Sequence, residues 1–232
     1  MGRHDVLLRR CPTGVGVLIL QTSDSLTSFP RSTRWCTVDV RRRRSRDRLH
    51  RAVLELARTS PVSELTVTQV ASAAGVHRST FYEHADSTTD LLQAALLSEL
   101  DALRADLLAD PSAAAVHQVT RGVLEHVRTH APIYRRGLAS DAGSAALHGM
   151  LSEHFLESSR QVLRSGRLRV PLHLEGEPDG VTADAAARFV ASGTVGVIQA
   201  WLERAGEPDV ASFEALYDAL VPDWWLVGAR AE

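Results

Sequence analysis

Lysine is missing from this chain of 232 residues: all 26 cationic side chains are arginine, set against 28 acidic ones for a net charge of −2. A GC-rich genome favours arginine codons, so the bias needs no chemical explanation. Cysteine is nearly absent too. Cys11 and Cys36 both precede the first convincing helix, which excludes a disulfide framework for the core. Aromatic residues make up 5%. No apolar run approaches the length of a transmembrane span, and the short run at 15–20 is followed by no clean small-residue cleavage site. A cytoplasmic protein with no membrane partner is expected. There is no strand-like alternation, no internal repeat, no Ser/His/Asp order, no phosphate-binding glycine loop and no dinucleotide fingerprint. Nothing supports catalysis, so no enzyme and no cofactor are expected.

What is present is helix. Alanine and leucine dominate, and the length suits one or two compact domains. Charge is unevenly spread: residues 1–90 hold 14 Arg against 9 acidic residues, whereas residues 91–232 hold 12 against 19. A basic first part and an acidic second part place the first near a polyanion.

Residues 1–40 show no sustained helical period. Two readings stay open: a floppy tail, or an extension upstream of a true start at Val38 or Val40. Order is expected from Ser45, the candidate N-cap of a helix whose apolar stripe is Leu49, Ala52, Val53, Leu56 and Ala57. Thr66 and Gln69 have capping-box spacing before a short helix that buries Val67, Val70, Ala71 and Ala74, and Gly75 ends it. A second short helix runs from His77 or Arg78 to His84. Ser87 and Asp90 open a third, along which Leu92, Leu96, Leu100, Leu103 and Leu107 recur. Beyond Pro111 the pattern predicts helices at 112–130, 141–165, 182–205 and 210–220, with Pro132 as a break and 166–181 as the longest loop.

A helix, a tight glycine turn and a short helix make a helix-turn-helix. Ala71 and Ala74 permit a close crossing, Gly75 tolerates positive φ, and Val76 and Phe81 hold the second helix down. His77, Arg78, Ser79 and Thr80 are left to meet base edges and phosphates. Tyr82 is a candidate phosphate contact, and His84, Thr66 and Thr68 are further DNA-facing candidates, with Thr66 more surely a cap. The arginines at 41–44, with Arg46 and Arg48, form a candidate basic arm; Arg44 and Arg46 are its expected DNA contacts.

Residues 49–91 resemble the DNA-binding domain of TetR/AcrR-type transcriptional regulators. The resemblance rests on the apolar first helix, TVTQVASAAGV, the tyrosine in HRSTFYEH, and Ser87 and Leu91 opening the next helix. The pattern departs at His77, where a serine-like cap is usual, at Ala85, where a large aromatic is usual, and at Thr88, where a lysine is usual. The resemblance implies an all-α fold with a DNA-binding domain at 45–91 and a helical effector-binding and dimerisation domain at 92–232, and residues 1–44 are expected to be a disordered or mis-annotated extension that carries the basic arm. It implies a homodimer on a double-stranded operator, released by a small molecule. It also places the dimer interface on the last two long helices, with Phe189, Val190, Val197, Trp201, Phe213 and Tyr217 as candidates. For the effector pocket, His126, Tyr134, Met150, Phe155 and Trp201 are candidates because they are large or adaptable side chains on central helices. His126 and His130 stand at i, i+4, but no carboxylate or thiol joins them in a recognised motif, so no metal is expected. The alternatives are a nonspecific DNA-binding protein and an enzyme with a helical core.

Overall fold

The computed structural model describes residues 33–109, 113–139, 145–164, 166, 170–171, 178–204, 206, 209–222 and 224–225. The chain divides into two units, Met1–Val40 and Arg41–Glu232. Among the described residues there are nine α-helices and no strand. They are α1 (Thr33–Ala57), α2 (Val67–Ala74), α3 (Arg78–Tyr82), α4 (Thr88–Ala109), α5 (Ala113–Thr129), α6 (Ala131–Leu138), α7 (Ala145–Arg164), α8 (Asp179–Glu203) and α9 (Val210–Leu220).

Local chemistry explains the boundaries around the helix-turn-helix. Thr66 caps α2: its hydroxyl accepts from the Gln69 amide, and the Gln69 side chain accepts from the Thr66 amide at 2.8 Å. Such a cap contributes about 1 kcal/mol. Gly75 closes α2 at φ 60°, a left-handed conformation that costs a side chain strain. Ser87 caps α4 by accepting from the Asp90 amide at 3.0 Å. A 3₁₀ turn at Val62–Glu64 bridges α1 and α2. The Thr88 hydroxyl donates to the Val62 carbonyl at 3.4 Å, so it braces this turn rather than standing free for a phosphate.

Three sequence expectations change. Ser45 lies inside α1, not at its start, and its hydroxyl donates back to the Arg42 carbonyl. The arginines at 41–44 therefore sit on a helix rather than a flexible arm. Residues 131–138, passed over because Pro132 read as a break, form α6. Pro132 falls in its first turn, where a missing amide costs nothing. Gly180–Glu203 is long and apolar enough to cross a membrane by length and composition. In the fold Ala187, Ala191, Val195 and Ile198 on this helix are buried, as in a core helix.

The main hydrophobic core runs from Leu49, Val53, Val70 and Phe81 through Leu91, Leu96 and Leu100 on α4 to Ile198, Trp201 and Phe213, and a smaller cluster holds Leu156, Ala187 and Ala191. The helix α4 runs unbroken through the expected domain boundary at 91/92. Two adjacent arginines on α6 reach opposite ways: Arg135 donates to the Leu202 carbonyl at 2.9 Å, and Arg136 to the Ala57 carbonyl.

Candidate DNA-binding face and effector cavity

The short helix α3 has too few residues to be stable alone; packing holds it. Phe81 is fully buried, whereas its neighbour Tyr82 is 48% exposed. The two rings meet edge-on, with centroids 5.6 Å apart. Arg78 donates to the Tyr82 hydroxyl at 3.1 Å and lies over its ring. This pair joins a guanidinium and a phenol on one exposed face with His77 and Ser79, while Thr80 is half-buried. His77 begins α3 in extended conformation, and its imidazole makes no capping bond. Its side chain is thus left on the exposed face.

Arg48 on α1 donates to the Gly75 carbonyl at 2.9 Å and fills the space a side chain at 75 would need. At the other end of α3, Ser45 lies 2.8 Å from His84 Nε2. Burial, then the nearby Arg42, lowers the His84 pKa below the usual histidine value. His84, read from the sequence as a DNA contact, is a neutral brace between α1 and α3. Thr68 is exposed. The Thr66 hydroxyl donates to Gln69 Oε1 at 2.7 Å and accepts the Gln69 amide, so its capping role occupies it. Arg44 and Arg46 are exposed, the latter 3.6 Å from Asp47.

A cavity of about 120 Å³ lies among α4, α5, α7, α8 and α9. Its wall is mainly apolar: Leu100, Val123, Phe155, Val190, Ile198 and Phe213. Polar groups enter at Arg104, His154, Ser158, Thr194 and Tyr217. The Thr194 hydroxyl donates to the Val190 carbonyl at 2.7 Å and lies 3.3 Å from the Tyr217 hydroxyl. Burial, then the nearby Arg104, lowers the His154 pKa, with Asp101 opposing at 3.6 Å.

Of the five sequence candidates for this pocket, Phe155 alone lines the cavity. Met150 packs against the core, and Trp201 is 2% exposed with its indole N–H on the Asp209 carbonyl at 3.1 Å. His126 and Tyr134 belong to a separate buried cluster. There His126 Nε2 lies 2.8 Å from the Tyr134 hydroxyl, and one oxygen of Glu99 lies 3.0 Å from His126 Nδ1 and 2.9 Å from His130 Nε2. Burial pushes the His126 pKa down to about 4 and raises that of Tyr134.

The expected dimer residues divide as well. Val190, Trp201, Phe213 and Tyr217 are buried within the single chain, so they have no free area for a partner; three of them line the cavity instead. Val197 is half-buried, and Phe189 is 65% exposed. Phe189 sits in a stripe with Val181, Ala185, Gly196 and Ala200 along one exposed face of α8. Exposed Ala211, Ala215 and Ala219 follow helical spacing on α9.

No family model matches the sequence, and no curated protein matches it. Solved structures do resemble the fold. FadR of Thermus thermophilus, a TetR family transcriptional repressor solved in complex with lauroyl-CoA, is 22% identical, with a TM-score of 0.51 over 76% of this chain and 92% of that one. NalD of Pseudomonas aeruginosa, the secondary repressor of the MexAB-OprM multidrug efflux pump, is 22% identical, with a TM-score of 0.51 over 79% and 98%. The dihydroxyacetone kinase operon activator DhaS is 12% identical, with a TM-score of 0.56 over 76% and 96%. The chain has the all-helical fold of TetR-type regulators.

Proposed function

We propose that this chain is a sequence-specific, homodimeric transcriptional regulator of the cytoplasm, a repressor released from a palindromic operator when a small molecule enters its cavity. One observation carries the reading. A rigidly seated α3 offers Arg78, Ser79, Tyr82 and His77 on a single exposed face, anchored from beneath by Phe81. A helix of this kind reads base edges when it enters a major groove, and neighbouring phosphate contacts fix its register.

Two such helices must reach successive grooves roughly 34–36 Å apart, which calls for a dimer with two-fold symmetry. The uncovered stripe through Phe189 and Gly196 on α8, together with the alanine stripe of α9, is the proposed partner face. A side chain at Gly193 or Gly196 would meet nothing within 4 Å, so a second helix has room to approach closely.

The cavity favours an apolar effector with one or two hydrogen-bonding groups for Thr194, Tyr217 or His154. A dry engineered cavity of about 150 Å³ accepts benzene, so the volume here suits one small ring or a short chain before any expansion. Release requires that the effector bind the DNA-incompetent arrangement more tightly than the other. Repressors and an activator share the fold, so the sign of regulation is the finer part of the proposal.

The decisive experiment is a footprint on DNA flanking the chain's own gene, repeated against scrambled duplex. A discrete protected palindrome, bound at least 10³-fold more tightly than scrambled DNA, is expected. Uniform protection, or equal affinity for both duplexes, would favour a nonspecific DNA-binding protein and overturn the regulator reading.

A further inference from the structure

Three side chains from three segments converge at a point that the proposed regulator function leaves unused. Glu99 comes from α4, His126 from the last turn of α5, and His130 from the N-cap of α6. Their donor atoms all lie within 4.8 Å of one another. We propose that Glu99, His126 and His130 form a binding site for a divalent transition-metal ion of the Zn²⁺ class, with one coordination position open.

The donor set fits that class. Two imidazoles and a carboxylate suit a borderline ion in tetrahedral geometry, whereas Ca²⁺ and Mg²⁺ want shells of oxygen. Bonds of about 2.0–2.1 Å to such an ion put neighbouring donors roughly 3.3 Å apart. The carboxylate oxygen now lies 3.0 and 2.9 Å from the two ring nitrogens and needs to move off each by only a few tenths of an ångström, while the two nitrogens, within 4.8 Å of one another, close by up to about 1.5 Å. The rings stand with centroids 4.8 Å apart, both presenting a nitrogen to the same oxygen.

The surroundings also suit an ion. His126 Nε2 rests on the Tyr134 hydroxyl, the kind of outer partner that fixes a metal-bound imidazole. Each ring ligates as a neutral imidazole. His126 shifts its proton from Nδ1 to Nε2, where the Tyr134 oxygen accepts it, and His130 shifts its proton from Nε2 to Nδ1. Entry is provided because the Glu99 side chain is 47% exposed. It borders a groove of about 370 Å³ whose far wall is α1, with Asp47 and His50.

The test uses the full-length, tag-free, metal-stripped protein titrated with Co²⁺ alone. The expected result is the visible absorption of a tetrahedral site saturating at one ion per protomer and displaced by Zn²⁺. Glu99→Gln and His130→Gln should each lower Co²⁺ affinity by about 100-fold or more, Tyr134→Phe by roughly 10–100-fold, and the exposed His148→Gln not at all. Circular dichroism checks that each variant folds. Should a variant unfold, the wild-type protein answers alone: Zn²⁺ must shift the imidazole ¹⁵N resonances of both His126 and His130. Absence of a stoichiometric Co²⁺ spectrum, unmoved imidazole resonances, or unchanged affinity in folded Glu99→Gln would each overturn the site.

Discussion

Phe81 and Tyr82 are neighbours with opposite tasks. Successive helical residues point about 100° apart, so one ring enters the core while the other stays beside Arg78 on the surface. Removing the Tyr82 hydroxyl deletes the acceptor that orients Arg78 but leaves the buried ring untouched. Tyr82→Phe should therefore weaken operator binding by roughly tenfold, and Arg78→Ala by about 1–3 kcal/mol, with melting temperatures close to wild type. Gel-shift titrations on one operator fragment measure both. If both variants bind as wild type does, α3 is not the recognition helix. Gly75 predicts the reverse pattern. At φ 60° and against the Arg48 side chain, Gly75→Ala carries backbone strain of about 1–2 kcal/mol and dislodges the Arg48 bond to the turn. Denaturant unfolding should show that loss directly.

The helix-turn-helix was legible because its signals are local. A capping box, a left-handed glycine, and an apolar stripe interrupted by polar residues each operate within a few positions of sequence. The departures at His77 and Thr88 were legible too, but their consequences were not: only the fold shows the Thr88 hydroxyl turned to the Val62 carbonyl. The cavity and the partner face were poorly legible for a different reason. Val190, Phe213 and Tyr217 are apolar or aromatic positions of amphipathic helices, and a hydrophobic pattern marks such residues without saying what covers them. Here the covering comes from the chain's own helices, so they line a cavity, and the uncovered stripe falls on smaller residues around Phe189. Glu99 was invisible as a partner of His126 because 27 positions of sequence separate them. At the scale of the element, α8 yields a clear prediction. Phe189→Asp places a charge in the proposed partner face, and Gly196→Leu blocks close approach of a second helix. Sedimentation should find dimer with the wild-type chain and mainly monomer with either variant, whereas Glu153→Gln on another helix should stay dimeric. Two persistently dimeric α8 variants would move the interface elsewhere.

At the scale of the whole molecule, one continuous core among the described residues joins α3 to the cavity, so protonation events at both ends act on one stability. His154 at the cavity and His84 behind α3 are both held below the ordinary histidine pKa, chiefly by burial. The charged groups bearing on His154 are Arg104, which lowers its pKa further, and Asp101, which opposes; on His84 they are Arg42 and Arg46, with Glu83 opposing. A lowered folded pKa means the unfolded chain binds more protons in the interval below about 6.5. The stability these neutral rings contribute is therefore fully present above that value and is lost as pH falls towards their folded pKa values. Denaturation midpoints should decline from pH 7.5 to pH 5, and His154→Gln, which keeps a polar group at the cavity wall but cannot be protonated, should flatten part of that decline. An unchanged slope in His154→Gln would mean that this imidazole is as readily protonated in the fold as in water, and its burial beside Arg104 would then have no linkage to stability.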